Sequence, residues 1–361
     1  MEFRKDINGL RAFAILGVLI FHFNHNSLSG GFSGVDVFFV ISGFLMTKII
    51  FTGIDSNSFS ILKFYAARCR RIIPALGALC AALMAFGWFN LSPFEYQKLS
   101  YNSLSSIFFI SNTAYWADSS YFSTDSASNW LLHTWSLSVE WQFYLIYPLI
   151  IVGMSKVVSR ETVVKTLCVL FIASLALSSW LAYAYPTSAF YLLPSRAWEM
   201  ISGGLVFLFP VRATIRARQA MLYAGVIAII LSFILMNESL SWPGAWAVIP
   251  VVGACLILSS SINNNFITGN WLFQRIGDSS YSIYLWHWPV VVFLFNKSLL
   301  DSPAYLAAGI LLSFILGYMS FRLIEGRAKN VKVAYNLCAA FMVAIAFAFL
   351  HQTHGADFTF R

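Results

Sequence analysis

Arg11 and His22 stand eleven residues apart at the two ends of one apolar stretch. Eleven steps of about 100° return a helical side chain to within about 20° of the same face, after a rise of about 16 Å. One helix face therefore carries a fixed cation near its start. Half a hydrocarbon thickness further on, it carries an imidazole that can take and give protons near neutral pH. The chemical reading is a general base with a guanidinium beneath it. The structural reading is an Arg whose stem snorkels to the interface and a His bonded to a neighbouring helix.

Other residues of chemical type occur at helical spacing. Asp36 opens the apolar run 34–54; it either orients an imidazole as in a catalytic triad or caps a helix start. Glu140 and Tyr144 are four apart, with Gln142 between them and Trp135 just before, which gives either a polar pocket at a helix entry or a structural hydrogen-bond network. Arg196 and Glu199 are three apart and suit either an internal pair or a site. Tyr284 and His287 share a face within the aromatic run 281–289. Arg322 and Glu325 fit an intrahelical pair. Arg68 and Arg71 share a face in the basic cluster Lys63, Arg68, Arg70 and Arg71. Guanidinium groups hold phosphates bidentately, although lipid head groups or plain topology would place the same residues there.

The elements that position these residues must lie in a bilayer. The chain is 59% hydrophobic and 11% charged, where soluble domains carry about 25% charged residues. A charge at mid-bilayer costs about 2.5–3.5 kcal/mol on insertion scales, so those present usually face an interior and function there. The net charge of +8 sits in short clusters between apolar runs, the pattern of the positive-inside rule rather than of a nucleic-acid surface. The five cysteines, Cys69, Cys80, Cys168, Cys255 and Cys338, have no metal or redox spacing and read as buried hydrophobes. The N-terminal stretch resembles a signal peptide, but Arg11 interrupts it and no small-residue cleavage site follows, so it reads as the first membrane helix.

Eleven runs are apolar enough to be spans: 8–25, 34–54, 72–91, 136–154, 167–185, 196–211, 220–237, 245–260, 281–297, 303–324 and 333–350. Alternate loops are basic, at residues 4–5, 63–71, 156–165, 212–218 and 327–332, and those between are poor in Lys and Arg. Cytoplasmic basic loops put the N-terminus inside and the tail 351–361 outside. The segment 92–135 then begins and ends on the outer side. Its stretch 99–116, rich in Ser, Asn and Tyr, reads as re-entrant and as walling a site, because non-helical backbone at membrane depth must be shielded by protein or line a cavity. The fold expected is an all-α polytopic membrane protein of about 11 transmembrane helices.

Taken together, these motifs resemble the acyltransferase-3 family, in particular the bacterial O-acetyltransferases of O-antigen and other surface glycans. Carrying the resemblance are Arg11 with His22, the run Gly34–Phe44, the Arg68/Arg71 pair, Trp135–Glu140 with Gln142 and Tyr144, Arg196 with Glu199, and Ser280–His287. The chain departs at Arg327, where the family often has Pro. The resemblance implies transfer of an acyl group, usually acetyl, from cytoplasmic acetyl-CoA to a sugar hydroxyl of lipopolysaccharide O-antigen or another surface glycan. It implies the bacterial inner membrane, with a central tunnel between donor and acceptor and no metal. His22, Asp36 and Glu140 become the expected catalytic residues, and Arg11, Arg68 and Arg71 the expected CoA-binding ones. Trp135, Gln142, Tyr144, Arg196, Glu199, Tyr284 and His287 become the expected acceptor pocket. Residues 1–330 are the expected membrane domain. Residues 331–361 are expected as an eleventh helix and periplasmic tail, cut before an outer SGNH-like domain that is fused or a partner. The rival reading is a glycan transporter or flippase, which intramembrane charges would equally suit, although no inverted repeat is visible.

Overall fold

The computed structural model describes residues 4–118, 128–263 and 265–327. The expected eleventh helix, Cys338 and the tail lie outside these residues, as does 119–127 within the expected re-entrant segment. The described residues contain helices and no strand. In chain order these are α1 (Lys5–Phe23), α2 (Gly34–Asp55), α3 (Ile61–Asn90), α4 (Pro93–Ile107), α5 (Ser111–Asp118), α6 (Thr134–Ser155), α7 (Arg160–Ala184), α8 (Pro186–Tyr191), α9 (Leu193–Leu208), α10 (Ile215–Leu235), α11 (Val248–Ser260), α12 (Trp271–Asn296) and α13 (Pro303–Ser320). A π-helical turn, Phe321–Glu325, follows α13.

Among the described residues, seven helical stretches are long and apolar enough to cross a membrane: Lys5–Phe23, Gly31–Asp55, Ile61–Asn90, Thr134–Ser155, Arg160–Ala184, Ile215–Leu235 and Pro303–Glu325. The chain is a multi-pass membrane protein. Of the eleven expected runs, 333–350 lies outside the described residues, and three of the other ten fall short of this length or hydropathy. Helix α9 has 16 residues and α11 has 13, giving lengths of about 24 and 20 Å against a hydrocarbon core of about 30 Å. Helix α12 has 26 residues, but its first half carries Gln274, Arg275, Asp278, Ser279, Ser280 and Ser282.

The described residues divide into two compact units, those within 1–61 and 139–280, and those within 62–138 and 281–361. In the first unit, α2 packs along α9, α7 along α9, α1 along α2, and α10 along α11. Glycines set the α2–α9 distance. A Cβ on Gly43 would meet the Met200 carbonyl oxygen at 1.7 Å, and one on Gly203 would meet that of Val40 at 1.9 Å. The two backbones touch where both side chains are missing, the small-residue contact that holds membrane helices together.

In the second unit, α3 runs for 30 residues, about 45 Å. It begins eleven residues before the apolar run 72–91, so its basic first turns extend past the hydrocarbon. The expected re-entrant segment folds as two helices. Ser92 and Glu95 form a capping box that starts α4, and the Ser92 hydroxyl and backbone N–H hold the Glu95 carboxyl below the usual carboxylate range. Phe109, at φ 55°, turns the chain sharply into α5 and is itself buried. The serines of α4 and α5 are buried. Ser106 bonds Thr134 at 2.8 Å, Thr134 donates to Ser111 at 3.1 Å, and Ser111 bonds Ser138 at 2.7 Å.

Candidate functional site

In the first unit, α1 carries Arg11 and His22, both half-buried. His22 falls in the last turn of α1, with its ring 5.2 Å from that of Phe21. The helix begins at Lys5, so the imidazole sits at the end of the span rather than in its middle, and Arg11 sits in the second turn. The one-face spacing read from the sequence holds along this continuous helix.

Asp36 takes a partner other than the one first considered. Its Oδ1 accepts from Arg196 Nη1 at 2.7 Å, and its Oδ2 has no hydrogen-bond partner among the described residues, so it does not orient His22. Arg196 Nη1 also donates to Glu199 Oε1 at 2.9 Å, and its Nε donates to the Phe190 carbonyl at 3.1 Å. The two carboxyl groups act on each other at close range. All three side chains are at most 1% exposed. The i, i+3 pair expected in α9 therefore exists, extended by a carboxylate from α2. Away from water the two carboxyl groups are tolerated because one guanidinium bonds both, and removing it leaves them stranded.

Further along α2, Ser42 Oγ donates to Glu140 Oε1. Tyr144 Oη donates to the same oxygen at 2.5 Å and to Ser42 Oγ at 3.1 Å. The i, i+4 spacing of Glu140 and Tyr144 thus produces a real cluster, with Ser42 as a third member from the Gly34–Phe44 run. Gln142, two residues after Glu140, is half-buried.

In the second unit, Arg71 is exposed and Arg68 half-buried on α3. The Arg68 guanidinium stands 6.0 Å over the Phe64 ring. Two guanidiniums one turn apart, within a basic helix end, fit a phosphate-bearing ligand. Trp135 is 4% exposed. Tyr284 and His287 meet as expected, ring centroids 5.5 Å apart, with His287 Nδ1 bonded at 2.7 Å to the Tyr284 carbonyl. Tyr284 Oη bonds Ser136 Oγ at 2.7 Å and donates to the His133 carbonyl at 2.8 Å. Glu325 accepts from the Ser282 hydroxyl of α12, a partner the Arg322 spacing did not indicate.

The structure adds two groups beyond the expected site residues. Asn8, buried in α1, donates to Asp278 Oδ1 at 2.8 Å and to the Gln274 carbonyl at 2.9 Å. His133 is buried against Tyr284, His287 and Trp288. Its only sequence signal was its place at the head of the Trp135–Glu140 run. No group of three or more His, Cys, Asp or Glu side chains suited to a metal ion exists among the described residues.

Residues 4–322 match the family described as acyltransferase domain. The chain is 31% identical to the peptidoglycan O-acetyltransferase OatA of Listeria monocytogenes, over 90% of this chain and 55% of that protein. It is 28% identical to the O-acetyltransferase OatA of Staphylococcus aureus, over 98% and 60%. It is 30% identical to the putative peptidoglycan O-acetyltransferase YrhL of Bacillus subtilis, over 88% and 54%. The chain therefore spans a little over half the length of these relatives. No solved structure matches it.

Proposed function

The chain belongs to the acyltransferase-3 family, and from that premise we propose that it is an O-acetyltransferase moving acetyl from cytoplasmic acetyl-CoA to a hydroxyl of a surface glycan. The observation that carries this reading is the family match over 4–322, nearly the whole described chain. The relatives' names favour a peptidoglycan-type acceptor over lipopolysaccharide O-antigen. The basic loops support an N-terminus inside, and the bacterial sources of the relatives support the bacterial cytoplasmic membrane.

In this reading Arg68 and Arg71 hold the phosphates of CoA, and Arg11 draws the donor towards His22. The His22 imidazole takes the proton of the acceptor hydroxyl as its oxygen attacks the thioester carbonyl. The C–S bond breaks, and the thiolate leaves with the proton returned by the imidazolium. In the alternative route the ring nitrogen first takes the acetyl group and then passes it to the hydroxyl; net atoms and protons are the same. Glu140, with Ser42 and Tyr144, accepts a hydrogen bond from the acceptor or holds a proton beside it, and Gln142 adds an amide to the same helix entry. The Arg196–Asp36–Glu199 trio fixes α2 against α9. Trp135, Tyr284 and His287 supply an aromatic and hydrogen-bonding wall for the sugar.

The test is transfer of radiolabelled acetyl from acetyl-CoA to a soluble peptidoglycan disaccharide by the purified protein in nanodiscs. Wild type should acetylate the sugar. The double substitution Arg68→Ala with Arg71→Ala should weaken CoA binding by about 10-fold to 100-fold, measured by calorimetry. Movement of an unmodified glycan across the bilayer without acetyl transfer would replace this reading with the flippase one.

A further inference from the structure

The second unit contains a histidine that this mechanism leaves unused. His133 lies one residue before α6 and is 3% exposed. The peptide around it is firmly bonded. Its carbonyl accepts from Tyr284 Oη at 2.8 Å and from Ser136 Oγ at 3.2 Å. Trp288 Nε1 donates to the Asn129 carbonyl at 2.7 Å, and the Asn129 side chain accepts from Asn102 at 3.0 Å and from the Leu131 backbone N–H at 3.1 Å. The segment 129–133 is thereby tied to α12 and α4.

The imidazole is the exception. Its Nδ1 and Nε2 are both buried, and neither has a hydrogen-bond partner among the described residues. An unpartnered buried polar group costs free energy. A rigid, fully bonded frame around one unbonded side chain is the arrangement expected of a pre-organised ligand contact.

The imidazole has one neighbouring backbone carbonyl. Pro289 lies inside α12 and has no N–H, so the Leu285 carbonyl one turn earlier lacks its helical donor. That carbonyl interacts with the His133 imidazole, more loosely than a full hydrogen bond. A carbonyl facing one ring nitrogen favours the N–H there and leaves the lone pair on the other. The rings of Tyr284, His287 and Trp288 stand 5.3, 5.8 and 6.4 Å from that of His133.

We propose that His133 is an acceptor-positioning residue whose open ring nitrogen accepts the O–H of a sugar hydroxyl beside Tyr284, His287 and Trp288. This rests on the reading that the acceptor is a glycan. No bond forms or breaks at His133; it holds the sugar.

The test uses the full chain in nanodiscs, labelled with nitrogen-15 at histidine and titrated with the peptidoglycan disaccharide. One imidazole resonance, present in wild type and missing from His133→Gln, should shift as the sugar is added. In the same variant the KM for the disaccharide should rise about 10-fold with kcat within about twofold. If His133→Gln fails to fold, His133→Asn identifies the resonance, and the wild-type titration decides. A resonance unmoved by sugar, including one already hydrogen-bonded by a buried water, overturns the proposal. So does a folded variant that loses kcat at unchanged KM. A shifting resonance without any acetyl transfer supports this site while removing the acetyltransferase reading. Transfer with an unmoved resonance does the reverse.

Discussion

At the scale of single residues, spacing and partnership separate. Arg11 and His22 are related by helix geometry alone, so their shared face was legible in the sequence. His22→Ala should abolish acetyl transfer while the protein still inserts and binds CoA; retained transfer in a radiolabel assay would remove His22 from the reaction. The partner of Asp36 was not legible. It lies 160 residues away, and nothing in a carboxylate at a helix start distinguishes a guanidinium from an imidazole as its mate. The buried trio and an exposed pair make a controlled comparison. Arg196→Ala strands two carboxyls and should lower stability by about 3–5 kcal/mol. Arg160 and Asp55 form a pair whose side chains are 56% and 51% exposed, so Arg160→Ala should cost about 0–1 kcal/mol. Denaturant unfolding in detergent measures both. Equal losses would mean that the trio is not held as a unit.

At the scale of elements, apolar runs located the helices well and their ends less well. The run 72–91 marks only the membrane-embedded part of α3, because hydropathy registers the apolar turns and not the basic ones before them. The polar stretch 99–116 was legible as something other than a lipid-facing helix, but its division into α4 and α5 was not. That break comes from the Phe109 turn, and a left-handed phenylalanine has no sequence signature. Gly43 stands where α2 and α9 touch. Gly43→Leu must push α2 off the Met200 carbonyl. It should cost at least about 1–3 kcal/mol and reduce the yield of monodisperse protein. At Gly153 a Cβ would meet nothing within 4 Å, so Gly153→Ala should leave that yield unchanged. Gel filtration of the two variants measures the contrast.

At the scale of the whole molecule, composition determines the solvent, and the direction of insertion is an expectation drawn from loop charge. Seven stretches meet the length and hydropathy of a span among the described residues. The short or polar α9, α11 and α12 are the ones whose membrane depth a sequence leaves open. Single cysteines at Val157 and Thr187 should label from opposite faces, the first from the cytoplasm and the second from outside, in intact cells against inverted vesicles. Labelling from one face would overturn the alternation of loops. The activity of the family was legible because its motifs are spread through the chain in a fixed order, each weak and their sequence together specific. The role of His133 was not, because a missing hydrogen bond exists only in three dimensions.

The hydroxyls joining Ser106, Ser111, Thr134 and Ser138 have a consequence for how the chain is made. Helices α4 and α5 leave the ribosome before the partners that satisfy them. A translocon releasing them alone into lipid would strand those hydroxyls, so they should stay at the aqueous margin until the head of α6 emerges. A nascent chain arrested near residue 125 should therefore be extracted by alkali along α4 and α5, and one arrested beyond residue 160 should not. Insertion of this stretch is then a timed event, set by residues still to be translated.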